Sequence, residues 1–133
     1  MFSHVIVGAN DLSIMIAFYD AVLSELGLAR DSQRSLDHVA GIIWQRPGLR
    51  WPQFALRKPF NRQPATVGNG VQISFAAQSE EAVRTAWQLA LSHGGSNEGA
   101  PGFRPQYNDD FYAAYCRDPE GNKLCFVCAA GLA

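Results

Sequence analysis

The stretch that decides the fold lies near the end of the chain and reads RDPEGNKLCFV, residues 117–127. Pro119 fixes its own φ, and Gly121 and Asn122 tolerate the positive φ that short hairpin turns require. The apolar run that follows the turn is typical of a buried strand. We therefore predict a strand, a tight turn and a second strand, with Cys125 as the first residue of that run to face inward, towards whatever cavity the sheet encloses.

The chain contains three cysteines, an odd number that does not suggest a disulfide framework and that favours a reducing compartment. Cys116 is interpreted as a buried apolar residue. Cys125 and Cys128 have Cys-x-x-Cys spacing, but they lie in an apolar run, residues 124–130, that predicts a strand. Positions three apart on a strand face opposite sides, so the two sulfurs should diverge, which argues against a redox or zinc motif.

The composition describes one ordinary globular domain of 133 residues, with 47% hydrophobic residues, 17% charged residues and a net charge of −1. This balance argues against nucleic acid or an anionic membrane as a partner. No apolar run approaches the roughly 20 residues of a membrane span, and the N-terminus lacks the basic start and long apolar core of a signal peptide. A cytoplasmic location is expected.

The first half of the chain predicts a strand over residues 2–7, with His4 in its middle, followed by a helix. Asn10 or Asp11 caps the helix and Gly27 ends it. The apolar face of this helix consists of Leu12, Met15, Ile16, Tyr19, Val22, Leu23 and Leu26. Three further strands are predicted within residues 28–35, 39–45 and 53–57.

The second half repeats this pattern, with a strand over residues 71–77 and a helix that Ser79 caps and Gly94 and Gly95 stop. A shift of 68 positions, without a gap, lays Gln72 on His4, Trp87 on Tyr19 and Gly95 on Gly27. The chain therefore reads as two copies of one unit, a strand, a helix and then further strands.

A long segment rich in Gly, Pro, Asn and Asp, residues 97–112, is predicted to be a loop. A loop of this length inside a compact domain is usually functional or disordered, and its aromatic residues favour a functional role as the wall or lid of a cavity. Two strands, residues 112–116 and 123–129, are predicted to flank the closing hairpin.

These motifs together resemble the vicinal oxygen chelate superfamily, which includes glyoxalase I, extradiol dioxygenases, fosfomycin-resistance thiol transferases and bleomycin-binding proteins. The small glyoxalase-like branch is the most similar. The resemblance covers nearly the whole chain and is carried by HVIV at 4–7 with NDL at 10–12, FY at 18–19, GVQISFAA at 70–77, GG at 94–95, GAPGFR at 99–104 and DPEGNK at 118–123.

The resemblance implies an α+β fold of two βαβββ modules, about 1–66 and 67–133, that form a curled mixed sheet around a cleft. It also implies a small-molecule ligand and pairing into homodimers. In the members that use a metal, a divalent ion is held by one residue on the first strand and one on the last strand of each module. The ion polarises vicinal oxygens of the substrate, as in lyases, isomerases and dioxygenases of this type.

Carried over position by position, the resemblance makes His4, Gln72 and Cys125 the candidate metal ligands. The fourth position falls within residues 53–58, where the sequence has no carboxylate or imidazole. A hard ion would be poorly served by this set, whereas zinc could accept the imidazole, an amide oxygen and a thiolate. Two possibilities therefore remain open. The protein binds one divalent ion, with zinc favoured, or it binds no metal.

The candidate substrate-binding residues are Trp44, Arg57, Arg104, Tyr107 and Tyr112, and no residue is assigned a catalytic role. Arg57 could bind an anionic oxygen if no metal is present. Each candidate also has a structural interpretation. Trp44 could be a core or interface aromatic residue, Arg104 could bind carbonyls of its own loop, and the tyrosines could cover a sheet edge.

Two functions follow. The first is a metal-dependent enzyme of the glyoxalase-like kind that acts on a small oxygenated molecule. The second is a metal-free protein that sequesters a small molecule in the same cleft, as bleomycin-resistance proteins do. The missing carboxylates argue against glyoxalase I activity itself, because that mechanism needs both a metal and a base.

Overall fold

The computed structural model describes residues 1–132, which fold into two four-stranded mixed sheets and two helices. In the first module, sheet one has the strand order β1-β4-β3-β2, and in the second module sheet two has the order β5-β8-β7-β6. The elements of the first module are β1 His4–Gly8, α1 Leu12–Glu25, β2 Ala29–Arg30, β3 Ile42–Gln45 and β4 Gln53–Arg57. Those of the second are β5 Gln72–Ala76, α2 Glu80–Ser92, β6 Ser96–Phe103, β7 Tyr112–Arg117 and β8 Lys123–Cys128.

The two modules have the same topology, which confirms the predicted α+β fold of two βαβββ units. In each module the first strand lies at the sheet edge and pairs in parallel with the last strand, and the remaining pairs are antiparallel. The 68-residue offset is preserved in the structure, since β5 begins 68 residues after β1 and α2 begins 68 residues after α1.

Both helices begin at the predicted caps. The Asp11 carboxylate accepts a hydrogen bond from the amide of Ile14 at 3.1 Å, and the Ser79 hydroxyl accepts one from the amide of Ala82 at 3.0 Å. These bonds satisfy amides that the first helical turn leaves without partners. The side chains that α1 buries are Met15, Ile16, Phe18, Tyr19, Val22 and Leu23, and those that α2 buries are Val83, Ala86 and Ala90. No helix within residues 1–132 is long and apolar enough to cross a bilayer.

The predicted loop over residues 97–112 is wrong for its first half, because residues 96–103 form the eight-residue strand β6. β6 pairs with β7 through two register shifts, one on each side of Gly99. A Cβ atom at Gly99 would lie only 3.0 Å from Cδ2 of Tyr115, so the glycine permits the close approach. The true loop spans residues 104–111. The strand predicted within residues 28–35 is also shorter than expected, since β2 has only two residues.

The DPEGN hairpin joins the second module to the start and the middle of α1. Tyr19 donates a buried hydrogen bond of 2.7 Å to Asp118, whose carboxylate also accepts the amides of Glu120 and Asn122 at 3.0 Å. The Glu120 carboxylate accepts the amides of Asn10 and Asp11, both at 2.8 Å. The turn that the sequence predicts as a simple hairpin therefore also holds the modules together.

Candidate functional site

Alternation along the strands gives each sheet one face that packs against the helices and one that turns away from them, which we call the cleft face. In sheet one Val7, Phe54 and Leu56 belong to the main core, so their neighbours along β1 and β4 lie on the cleft face. These neighbours are His4, Ile6, Gly8, Gln53, Ala55 and Arg57. In sheet two Leu124 and Phe126 belong to the core, and the cleft-face residues of β5, β7 and β8 include Gln72, Ser74, Tyr115, Lys123 and Cys125.

A cavity of about 220 Å³, the seam cavity, lies where the edge strands β1 and β5 approach each other. Its lining comprises residues 5–8 and 66–68 of the chain together with Val71, Ile73, Asn122 and Lys123. A second pocket of about 380 Å³, the basic pocket, shares Ile6 and Gly8 with it. The two cavities are therefore adjacent, and together we call them the cleft.

The cleft carries positive charge without a balancing carboxylate. Arg57 and Lys58 line the basic pocket, Lys123 lines the seam cavity, and neither lining includes an Asp or Glu. Lys58 is engaged with the carbonyl oxygen of Asn10. Arg57 takes part in no ion pair within residues 1–132. Arg57 and Lys123 can therefore attract an anionic group of a ligand.

Cys125 lies on the cleft face of sheet two in a small polar cluster. Ser74 is its partner on β5 and Tyr115 its partner on β7, and both lie within hydrogen-bonding reach of the thiol. The side chain is only 1% exposed, and Phe111 of the 104–111 loop packs against its surroundings. Burial raises the pKa of the Cys125 thiol, and burial also raises the pKa of Tyr115, to about 12. The cluster is therefore neutral at physiological pH.

The donor atoms at the four ligand positions of the family do not fit a divalent ion. The Nδ1 atom of exposed His4 lies 2.9 Å from the Ser3 hydroxyl, and the Gln72 amide donates to Ser74 at 3.0 Å. The Cys125 thiol is protonated, and the fourth position is occupied by Ala55, which pairs with Ile6 as Cys125 pairs with Ser74. An alanine has no donor atom. Among residues 1–132, no three His, Cys, Asp or Glu side chains lie close enough together to hold a metal.

The predicted substrate-binding residues lie in three different places. Arg57 lines the basic pocket. Arg104 donates to the carbonyl of Ala100 at 2.7 Å and lies 5.4 Å over the ring of Tyr115, so it organises its own loop beside the polar cluster. Tyr107, 65% exposed, packs on Phe111 with ring centroids 5.1 Å apart.

The other two candidates, Trp44 and Tyr112, lie on the helix side of their sheets, away from the cleft face. Trp44 is buried, and its indole donates to Asp20 at 3.0 Å, while the Tyr112 hydroxyl accepts a hydrogen bond from Arg84 at 3.2 Å. Trp44 also forms part of the wall of a separate apolar cavity, which is described below.

The sequence reasoning did not select Lys123 or Ser74, which the structure places on the cleft face. Both lie within the motifs that carry the resemblance. Alternation with a period of two from Gln72 and from Cys125 would have pointed to them, because residues two apart on a strand share a face.

A family model described as Glyoxalase/Bleomycin resistance protein/Dioxygenase superfamily matches residues 1–126. No curated protein matches the chain. Among solved structures, a glyoxalase/bleomycin resistance protein from Albidiferax ferrireducens T118 is 40% identical, with a TM-score of 0.81 over 97% of this chain and 98% of that chain.

Two more distant structures are similar in fold alone. A glyoxalase-related enzyme from Fulvimarina pelagi is 18% identical, with a TM-score of 0.71 over 97% of this chain and 88% of that chain. A glyoxalase/bleomycin resistance protein/dioxygenase family enzyme from Burkholderia phytofirmans PsJN is 20% identical, with a TM-score of 0.68 over 95% and 96%.

Proposed function

The chain belongs to the glyoxalase/bleomycin resistance protein/dioxygenase superfamily, and we propose that it binds a small anionic, oxygenated molecule in its cleft without a resident metal ion. The observation that carries this function is the pair of basic side chains, Arg57 and Lys123, in adjoining cavities whose linings contain no carboxylate. An anion would therefore be neutralised by basic side chains and would not need a metal ion.

The size and chemistry of the cleft favour a small ligand. The basic pocket, at about 380 Å³, is in the range of sites for small molecules, and the adjoining seam cavity adds about 220 Å³. Arg57 offers a planar fork of donors for a carboxylate, and Lys123 offers a more compact charge.

The donor set supports a metal-independent mode of binding. Ala55 offers no ligand atom, and the Cys125 thiol would have to lose its proton although burial raises its pKa. Both features argue against the second candidate function, a metal-dependent enzyme. His4 is exposed on the cleft face and lines neither cavity.

The test is isothermal titration of the protein with small carboxylates, glycolate and oxalate, before and after treatment with a chelator. Binding should survive the chelator and weaken with added salt. Arg57→Gln and Lys123→Gln should each weaken it about tenfold, which corresponds to roughly 1.4 kcal/mol. Arg46→Gln is the matched control, because Arg46 is exposed and lines no cavity described here. Binding that requires added zinc, and that His4→Ala abolishes, would show that the metal-dependent alternative is correct.

A further inference from the structure

An apolar cavity of about 200 Å³ lies between the first module and strand β5. Three of its walls are aromatic, since Trp44 and Phe54 come from sheet one and Phe75 from sheet two. Eight of its ten lining residues are apolar, and Gln53 and Ser74 are the two polar ones. The complete lining is Phe2, Val5, Leu28, Trp44, Pro52, Gln53, Phe54, Ile73, Ser74 and Phe75.

The cavity is a gap in the packing at the edge of the core. Val5, Leu28, Ile73 and Phe75 pack against the buried core, yet each remains partly exposed. Phe2 lies at the rim with 83% of its surface exposed, so it does not close the gap. Protein interiors are normally close-packed, and apolar walls offer water few hydrogen bonds. An apolar group that entered would regain the missing contacts and remove this surface from water.

The volume and the walls favour an aromatic ring. An apolar cavity of about 150 Å³ is known to hold benzene, so about 200 Å³ accommodates a six-membered ring with a small substituent. The ring centroids of Trp44 and Phe54 lie 6.0 Å apart, and those of Phe54 and Phe75 lie 5.4 Å apart at 72°. Aromatic rings in such arrangements offer both faces and edges to a further ring.

The cavity adjoins the cleft, because Val5 and Ile73 line both it and the seam cavity. We propose that the apolar cavity is an aryl subsite and that the anionic ligand of the cleft carries an aromatic ring. The second half of this statement rests on the anion binding proposed above. The ligand class is then an aromatic molecule with a short side chain that ends in an anionic oxygenated group.

The ring subsite is tested alone with phenol, compared with cyclohexanol, by calorimetry and protein NMR. We expect saturable binding of phenol that is several-fold tighter than that of cyclohexanol, with intermolecular contacts from the phenol ring to methyl groups of Val5, Leu28 and Ile73. Leu28→Phe fills the cavity and should weaken phenol binding at least tenfold. Leu49→Phe, at an exposed position outside every cavity described here, should leave it unchanged.

Absence of saturable phenol binding to the wild type, or ring contacts confined to other residues, would overturn the aryl subsite. The NMR contacts use the unaltered protein, so the outcome does not depend on whether Leu28→Phe folds.

The link to the cleft is tested with 3-phenylpropionate against propionate. Simultaneous engagement of both sites should make 3-phenylpropionate bind at least tenfold more tightly than either propionate or phenol. Lys123→Gln should reduce this advantage and leave phenol binding unchanged. If phenol binds and 3-phenylpropionate gains nothing over it, the aryl subsite stands and its link to the cleft is wrong. If phenol fails while glycolate binds, the anion site stands without the aryl subsite.

Discussion

Cys125 lies at a position where the family resemblance implies a metal ligand, and its surroundings favour the neutral thiol. The side chain is 1% exposed, and burial raises the pKa of the thiol although Ser74, Tyr115, Arg104 and Lys123 act in the opposite direction. A buried neutral thiol is a poor ligand and a poor nucleophile, because the thiolate performs both functions. The residue therefore behaves as a small packing group within the polar cluster.

This environment predicts low reactivity of Cys125 towards iodoacetamide. At pH 7.5 in the native protein, Cys128, which is partly exposed, should be alkylated at least tenfold faster than Cys125, as measured by mass spectrometry of the labelled peptides. In urea, where burial is lost, both should react at similar rates. Native labelling of Cys125 as fast as that of Cys128 would show that the thiol is activated and would reopen its role as a ligand or nucleophile.

At the scale of elements, the β7–β8 hairpin acts as a clamp between the modules. Asp118, 3% exposed, binds Tyr19 in the middle of α1, and Glu120 binds the backbone amides at the start of the same helix. A carboxylate at a helix N-terminus is favourable because it pairs with unpartnered amides and with the positive end of the helix dipole. The hairpin thereby fixes the position of α1 relative to sheet two.

Removal of this clamp should destabilise the protein without altering its fold. Glu120→Ala removes the carboxylate that accepts the exposed amides of Asn10 and Asp11, and water can partly replace it, so the free energy of unfolding should fall by about 0.5–1.5 kcal/mol. Urea unfolding monitored by circular dichroism measures the change. The matched control is Glu25→Ala, because Glu25 is exposed at the C-terminal end of α1 and should change stability by less than about 0.5 kcal/mol. Equal losses in the two variants would contradict the clamp.

The sequence predicted the parts of the fold that depend on local signals. The caps at Asp11 and Ser79, the apolar face of α1 and the turn at Gly121 are each contained in a few neighbouring residues, and all are confirmed. Strand β6 was missed because residues 96–103 are rich in glycine and poor in β-formers. Its pairing depends on β7, so long-range contacts decide what local propensity does not.

The sequence predicted which residues lie at the candidate site better than it predicted which residues contact one another. The family resemblance selected His4, Gln72 and Cys125 as candidate ligands, and strand alternation in the structure puts all three on the cleft face. It could not show that Ala55 completes the set, or that Glu120 binds α1, because these relations join residues far apart in the chain. Trp44 was selected by residue type, whereas its place beside an apolar cavity follows from tertiary packing alone.

At the scale of the whole molecule, the core to which both modules contribute contains ionisable groups that lose their protons less readily than they would in the unfolded chain. Burial raises the pKa of Tyr19 well above its ordinary value, with Asp118 as a further cause, and burial raises the pKa of Cys116 to about 12. Tyr115 and Cys125 on the cleft face shift in the same direction. All four groups favour their neutral, protonated forms in the folded chain.

These shifts predict that stability falls at alkaline pH. A group whose pKa is higher in the folded state contributes stability that is complete below its unfolded pKa and is lost as pH rises, since the unfolded chain releases its protons first. The loss should begin near the ordinary cysteine value of about 8.5 and continue through the tyrosine value of about 10 towards 12. Urea titrations at pH 7.5, 9 and 10.5 should show a free energy of unfolding that declines by more than about 1 kcal/mol, because one pKa unit corresponds to about 1.4 kcal/mol.

The variant Tyr19→Phe removes one of these groups and should make the alkaline decline shallower, although its stability at pH 7.5 is lower because Asp118 loses a hydrogen bond. Tyr107→Phe is the comparison variant, since Tyr107 is 65% exposed and only contributes to the raised pKa of Tyr115, so its loss should change the slope much less than Tyr19→Phe does. Tyr19 lies on α1 of the first module, and Asp118 lies on the hairpin of the second. A shallower slope in Tyr19→Phe alone would therefore show that part of the alkaline loss of stability arises at the contact between the modules. A slope that is equal in all three proteins would show that Tyr19 titrates as it does in the unfolded chain and that this contact is open to solvent.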